Sequence, residues 1–162
     1  VDMGKPTLQP GKIPFVAESP QINYQLSLGP EYADNFSISA HNVGNPHAVI
    51  TVPAVDSAPV LEVGPLVERH PRFPEGVNVG FMEVVSRKKI MLRVFERGVG
   101  ETKACGSGAC AAVVAGRLQG ALDDTVDVEL TGGHLSISWG GDNGTIKMTG
   151  PTCKVYEGRL QI

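Results

Sequence analysis

The chain has 162 residues, 41% of them hydrophobic and 19% charged, with a formal net charge of −3; these values fit one globular domain with a sizeable core. There is no basic block, little aromatic content and no apolar run long enough to cross a bilayer, so neither nucleic acid nor a membrane is expected as a partner. Three irregularly spaced cysteines make no disulfide framework, and no signal-peptide pattern opens the chain, so a cytoplasmic setting is expected.

Val1-Asp2-Met3-Gly4-Lys5-Pro6 reads as a strand end running into a Gly/Pro break, which implies a chain cut from something longer. A Pro-rich connector follows, through Pro10, Pro14 and Pro20. Alternating apolar and polar residues then predict strands over Tyr24–Leu28, Phe36–Val43 and His47–Val52. Between Pro59 and Phe73 the apolar spacing becomes helical, and Pro71 and Pro74 close the segment. Val77–Val85 and Ile90–Phe95 read as two strands joined by the charged turn Ser86-Arg87-Lys88-Lys89. Gly108–Leu122 differs from all of these. Its alanines and valines are small and apolar on every side, which predicts a helix enclosed by protein all round. Val126–Leu130 and His134–Trp139 flank the turn Thr131-Gly132-Gly133. The run Gly140-Gly141-Asp142-Asn143-Gly144 precedes a strand at Thr145–Met148. The last stretch, Cys153–Ile162, alternates again. Many strands and one enclosed helix imply an α+β fold, a mixed, largely antiparallel strand barrel wrapped around a central buried helix.

The segment Glu96-Arg97-Gly98-Val99-Gly100-Glu101-Thr102-Lys103-Ala104-Cys105-Gly106-Ser107-Gly108-Ala109 places a thiol just before the start of that helix. Unpaired backbone N–H groups and the positive end of the helix dipole favour a thiolate there. Gly106 and Gly108 leave room for those N–H groups to approach an anion. One helix start could thus hold a carboxylate and tune an adjacent thiol, an arrangement suited to removing a proton next to a carboxylate. The same residues also fit a capping Gly/Ser turn beside an inert buried cysteine. No His/Cys pair has zinc spacing, so no metal site is expected. Ser107 in Gly-Ser-Gly has no orderable His/Asp partners for a hydrolase triad. His41 reads as structural, whereas His70 and His134 read as solvent-exposed.

The segment resembles the second cysteine motif of the diaminopimelate epimerase family. Gly44-Asn45-Pro46-His47, Gly76-Val77-Asn78-Val79-Gly80-Phe81 and Met148-Thr149-Gly150-Pro151 resemble further motifs of that family, in the family's order. The resemblance implies epimerisation of LL- to meso-diaminopimelate by two cysteines acting as acid and base, with no cofactor and no metal. It implies two similar domains, each a strand barrel around a helix, with one cysteine from each at the cleft. Carried over by position, Cys105 is one of the two thiols, and the Gly106 and Ser107 amides hold the α-carboxylate. Asn45, Asn78 and Arg97 bind the distal end, Arg97 with a two-pronged contact. Glu96 pairs with the distal ammonium, and His47 and Glu96 adjust thiol protonation.

The family's other cysteine motif, Cys-Gly-Asn-Gly, is absent. Cys110 lies roughly 140° round the same helix at ~100° per residue and cannot replace it. Cys153 is expected to pack as a small apolar residue. The chain therefore resembles the C-terminal half: 1–5 a remnant strand of the missing N-terminal domain, 6–150 the C-terminal epimerase domain, and 151–162 a terminal strand returning to that N-terminal domain. The half alone is expected to be inactive, and the full-length protein a homodimer with the second cysteine on the missing half. The alternatives are a proline racemase-like or phenazine-type isomerase of the same fold, which the pair Glu96-Arg97 argues against, and a non-catalytic binding module.

Overall fold

The computed structural model describes residues 1–161 except 31, 33, 34, 142 and 143; Asp142 and Asn143 of the expected glycine-rich turn and the terminal Ile162 lie outside the described residues. Among the described residues, nine strands and two α-helices follow a short 3-10 turn at Pro10–Lys12: β1 (Tyr24–Leu26), β2 (Phe36–Asn42), β3 (Pro46–Thr51), α1 (Val60–Glu68), β4 (Asn78–Ser86), β5 (Lys89–Glu96), β6 (Gly100–Thr102), α2 (Gly106–Leu118), β7 (Thr125–Leu130), β8 (Gly133–Ser138) and β9 (Lys147–Thr149). The fold is α+β, with one mixed sheet ordered β1-β2-β3-β4-β5-β7-β8-β9 and β6 paired to β5.

Two neighbouring pairs are parallel, β3 with β4 and β5 with β7. Each needs a crossover, and α1 makes the first and α2 the second. Because β4 and β5 are antiparallel, the two crossovers start from strands running in opposite directions. Connections of the usual right hand then leave the helices on opposite faces. The side chains agree, since alternate residues of one strand serve different cores. In β4, Val79 and Phe81 pack with Val60, Val63 and Val67 of α1, whereas Met82 joins the cluster around α2. In β5, Phe95 faces α1, and Ile90, Leu92 and Val94 face α2.

Helix α2 is the enclosed element that its composition predicts: every residue from Gly108 to Gly116 is buried. It begins at Gly106, two residues before the sequence signal, because the Cys105 side chain caps it by accepting from the Gly108 N–H. The chain that leaves α2 folds back tightly onto its last turn, where only a glycine fits. A Cβ on Gly116 would lie 2.3 Å from Leu122 Cδ1.

The first residues complete the wrapping. Val1 to Gly4 lie beside β9, with Met3 N donating to Ile146 O (2.8 Å) and Met148 N to Val1 O (2.9 Å). Thr7 then exchanges backbone hydrogen bonds with Asn42 at the end of β2 (2.8 and 3.0 Å). This short segment thus links the last strand of the sheet to β2 around α2. The expected strand at Tyr24–Leu28 stops at Leu26, and α1 runs on through Pro65. The alternating stretch after Pro151 forms no strand over 151–161 and lies exposed. Cys153 is accordingly exposed, contrary to the packed position expected for it. No helix among the described residues is long and apolar enough to cross a membrane.

Candidate active site

The residues singled out in the sequence converge at one end of the barrel because of strand direction. The parallel register pairs His47 of β3 with Asn78, the first residue of β4. The antiparallel register pairs Val79 with Phe95, so the C-terminal end of β5 carries Glu96 and Arg97 back to the same edge. The α2 N-terminus opens there too. Four elements far apart in sequence thus deliver Asn45, His47, Asn78, Glu96, Arg97 and Cys105 to one rim.

Cys105 is the N-cap residue, in an extended conformation (φ −139°, ψ 106°), and its Sγ accepts from Gly108 N at 3.4 Å. Its sulfur lies 3.6 Å from Ser107 Oγ. Ser107 Oγ is in turn 3.1 Å from His47 Nε2, which donates to Asn45 Oδ1 at 2.9 Å when it carries the proton. A continuous polar chain therefore runs Cys105–Ser107–His47–Asn45. Among the described residues, the Gly106 and Ser107 N–H groups make no hydrogen bond. Two free amides at the positive end of a helix, half-buried beside a thiol, have the geometry to donate to a small anion.

The glycines owe their places to packing as much as to amide access. A Cβ on Gly106 would lie 3.1 Å from Met148 Sδ, and one on Gly108 would lie 3.1 Å from Val94 Cγ2 and 3.2 Å from Cys105 Sγ. Cys105 as a whole is only 6% exposed, so it is not openly displayed beside the helix start.

That burial corrects the expectation of a thiolate-favouring helix start. Burial pushes the Cys105 thiol up, the Ser107 hydroxyl and Gly108 N–H pull it partly back, and the Glu96 carboxylate adds to the rise. The thiol is therefore held above its ordinary range, with burial as the main cause. Cys110, wholly buried, is pushed up to about 12 by burial first and by Cys105 second. His47 is pushed down to about 3, chiefly by burial, then by His41 and Arg97, so its imidazole is neutral.

Asn78 is 4% exposed, and both ends of its amide are in use: Nδ2 donates to Pro46 O (2.9 Å) and Oδ1 accepts from Arg97 N (3.0 Å). It ties the Asn45–His47 turn to the Arg97 turn, and one Nδ2 hydrogen remains for a ligand. Arg97 is exposed, with Nη1 donating to Glu75 O at 2.8 Å. Glu96 is half-buried and accepts from the Thr102 hydroxyl. The rim thus gathers a half-buried carboxylate, an exposed guanidinium and two side-chain amides around a buried thiol. Such a set matches a small molecule bearing both carboxylate and ammonium groups.

Sequence reasoning missed Glu68 and Glu75. Glu68, at the end of α1, is 6% exposed and its Oε1 accepts from Gly98 N at 2.6 Å. Nothing in a helix-end glutamate signals a role thirty residues away. Of the remaining histidines, His41 is buried with neither ring nitrogen hydrogen-bonded among the described residues. His134 is exposed, and His70 is half-buried with Nε2 3.2 Å from Ser27 O. Among the described residues, no group of three or more His, Cys, Asp or Glu is placed to hold a metal ion.

Two solved structures share the fold: a phenazine biosynthesis protein of the PhzF family from Bacillus anthracis (TM-score 0.50, 25% identity, over 70% of this chain and 38% of that one) and a protein described as a probable proline racemase from Agrobacterium radiobacter K84 (TM-score 0.53, 15% identity, over 72% and 40%). Diaminopimelate epimerases from Thioalkalivibrio sulfidiphilus, Azotobacter vinelandii and Halorhodospira halophila are 56%, 52% and 56% identical over the whole chain. The chain spans 58%, 58% and 55% of their respective lengths. The diaminopimelate epimerase family profile matches residues 39–155, and the chain belongs to that family.

Proposed function

We propose that this chain supplies one acid/base thiol and most of the substrate-holding groups of a cofactor-independent diaminopimelate epimerase. The observation that carries the reading is the α2 N-terminus, where Cys105 lies beside two unpaired amides, those of Gly106 and Ser107. The amides bind the α-carboxylate, which neutralises part of the charge that develops when the adjacent carbon loses its proton. Arg97 receives the distal carboxylate and Glu96 the distal ammonium, with Asn45 and Asn78 completing that end. Both ends of diaminopimelate are amino acids, so holding one end firmly selects the other for reaction.

The reaction needs two groups on opposite faces of the α-carbon. A thiolate takes the α-proton from one face, and the C–H electron pair stays on carbon. A thiol on the other face then gives its S–H proton to that carbon. The product has inverted configuration, and the two sulfurs have exchanged protonation states. A thiol pushed up by burial suits the donor in one direction of this exchange. His47 and Glu96 adjust the thiol, His47 through Ser107 and Glu96 by its nearby charge.

The second sulfur comes from a further segment of the full-length protein. This is supported by the greater length of the relatives and by the absence of any partner for Cys105 across the rim among the described cysteines, since Cys110 is enclosed in α2 and Cys153 lies in the exposed terminal stretch. That segment would form a second barrel of the same kind, receive residues 151–162 as a returning strand, and connect through residues 1–5. The full-length protein acts in the cytoplasm as a homodimer, in amino-acid biosynthesis leading to lysine. Assay of the full-length protein with LL-diaminopimelate and with L-proline tests the reading. Inversion of diaminopimelate but not proline supports it; inversion of proline alone, or of neither, overturns it. Residues 1–162 alone should give no turnover.

A further inference from the structure

Two consecutive backbone amides of the turn that carries Arg97 are held by side chains from elsewhere in the fold. Arg97 N donates to Asn78 Oδ1 at 3.0 Å, and Gly98 N donates to Glu68 Oε1 at 2.6 Å. Gly98 has φ +74°, a conformation natural to glycine, so the turn is committed to one shape. Glu68 is 6% exposed, and burying a carboxylate is costly unless its oxygens are well bonded. Its other oxygen lies 3.6 Å from Nε of Arg69, a side chain 83% exposed, too loose a contact to explain the burial. The short bond to Gly98 is the specific one.

The same corner also seats the Arg97 side chain. Its Nη1 donates to Glu75 O at 2.8 Å. A Cβ on Gly76 would lie 3.0 Å from Arg97 Cδ and 3.4 Å from Glu68 O, so the arginine stem runs close over the chain that leaves α1. Gly76 has φ +71° and leaves that space open. The end of α1 therefore forms the floor on which Arg97 rests, and the Glu68 carboxylate is the clamp that joins floor to turn.

We infer that Glu68 is a positioning residue for the distal end of the substrate: by clamping Gly98 it fixes the direction in which Arg97 presents its guanidinium. The inference rests on the reading that Arg97 receives the substrate's distal carboxylate. Glu68 touches no reacting atom, and it acts through Arg97.

The test compares Glu68→Gln and Glu68→Ala in the full-length protein with diaminopimelate as substrate. The glutamine amide oxygen can still accept from Gly98 N, so Glu68→Gln should keep KM within about threefold of the parent. Alanine cannot, and Glu68→Ala should raise KM about tenfold with kcat changed less than about threefold, the signature of lost uniform binding. In an Arg97→Lys background, Glu68→Ala should add less than about twofold, because the contact that it positions is already gone. Should Glu68→Ala not fold, Glu68→Asp withdraws the oxygens by one methylene and should show the same pattern more weakly. A fall in kcat at constant KM, or full additivity with Arg97→Lys, overturns the inference. Hydrogen exchange at the Gly98 amide gives a readout that does not depend on the substrate. Protection should be lost in Glu68→Ala and kept in Glu68→Gln, and equal protection in both also overturns it. If the parent protein fails to invert diaminopimelate, the proposed function falls, and the exchange experiment alone then decides the clamp.

Discussion

Replacing Gly108 with alanine probes the sulfur without removing any group that contacts the substrate. The added methyl would lie 3.2 Å from Cys105 Sγ, 3.3 Å from its Cβ and 3.1 Å from Val94 Cγ2. Ordinary nonbonded contacts sit near 3.5–4.0 Å, so the sulfur must retreat by roughly 0.4 Å or more. In stability, overpacking costs about 1–3 kcal/mol, while alanine for glycine in a helix returns about 1 kcal/mol. The net loss is therefore about 0–2 kcal/mol, and the protein stays folded. Rate is more sensitive than stability to such a shift. A displacement of about 1 Å at a reacting group can cost about a hundredfold, so a shift of this size should lower kcat about tenfold. KM should hold, because the Gly106 and Ser107 amides and the Arg97 end are untouched. The assay is steady-state epimerisation by the full-length protein, with thermal melting as the control for folding. A folded Gly108→Ala variant with kcat within about twofold of the parent would refute the placement of this sulfur at the reacting carbon.

Arg97→Lys should raise KM about tenfold with little change in kcat, because one ammonium cannot serve both Glu75 O and a carboxylate in two-pronged fashion; loss of a charged hydrogen bond is worth about 1.5–3 kcal/mol, and exposure of Arg97 favours the lower end. Titrating KM for the variant checks this, and an unchanged KM removes Arg97 from the site. His41 and His47 have folded pKa values pushed down to about 4 and about 3, below the ordinary value of 6.5. The unfolded chain binds more protons than the folded one in that window, so stability is full above pH 6.5 and falls as the pH drops toward 4. Melting temperature against pH for the parent and for His41→Leu should show a shallower acid loss in the variant, and identical slopes would contradict the buried neutral state of His41.

Much of the fold is legible because burial imposes a period. In Phe36–Asn42 the period shows as Ile38 and Ala40 entering the core beside α1, and in Lys89–Glu96 as Ile90, Leu92 and Val94 entering the core around α2. The Ala/Val run of α2 announces enclosure by size alone. Strand β6 has no such signal: Gly100-Glu101-Thr102 is half-buried throughout and pairs only because a turn returns it to β5. Cys153 shows the opposite failure, since the alternating residues 153–161 pack against nothing among the described residues. At the site, Cys105, Arg97 and Asn45 are visible as residue types in short motifs. The raised thiol pKa is not, because it depends on how completely the barrel covers the sulfur. Glu68 is invisible for a related reason: its acceptor role exists only once α1 and the Gly98 turn have met.

The most direct measurement is epimerisation of diaminopimelate by full-length protein carrying Cys105→Ala, folded as judged by its melting curve. General acid–base groups contribute about a hundred- to ten-thousandfold, so kcat should fall by at least about a hundredfold with KM little changed. A Cys105→Ala variant that inverts the substrate within about tenfold of the parent rate would contradict the assignment of this sulfur to proton transfer.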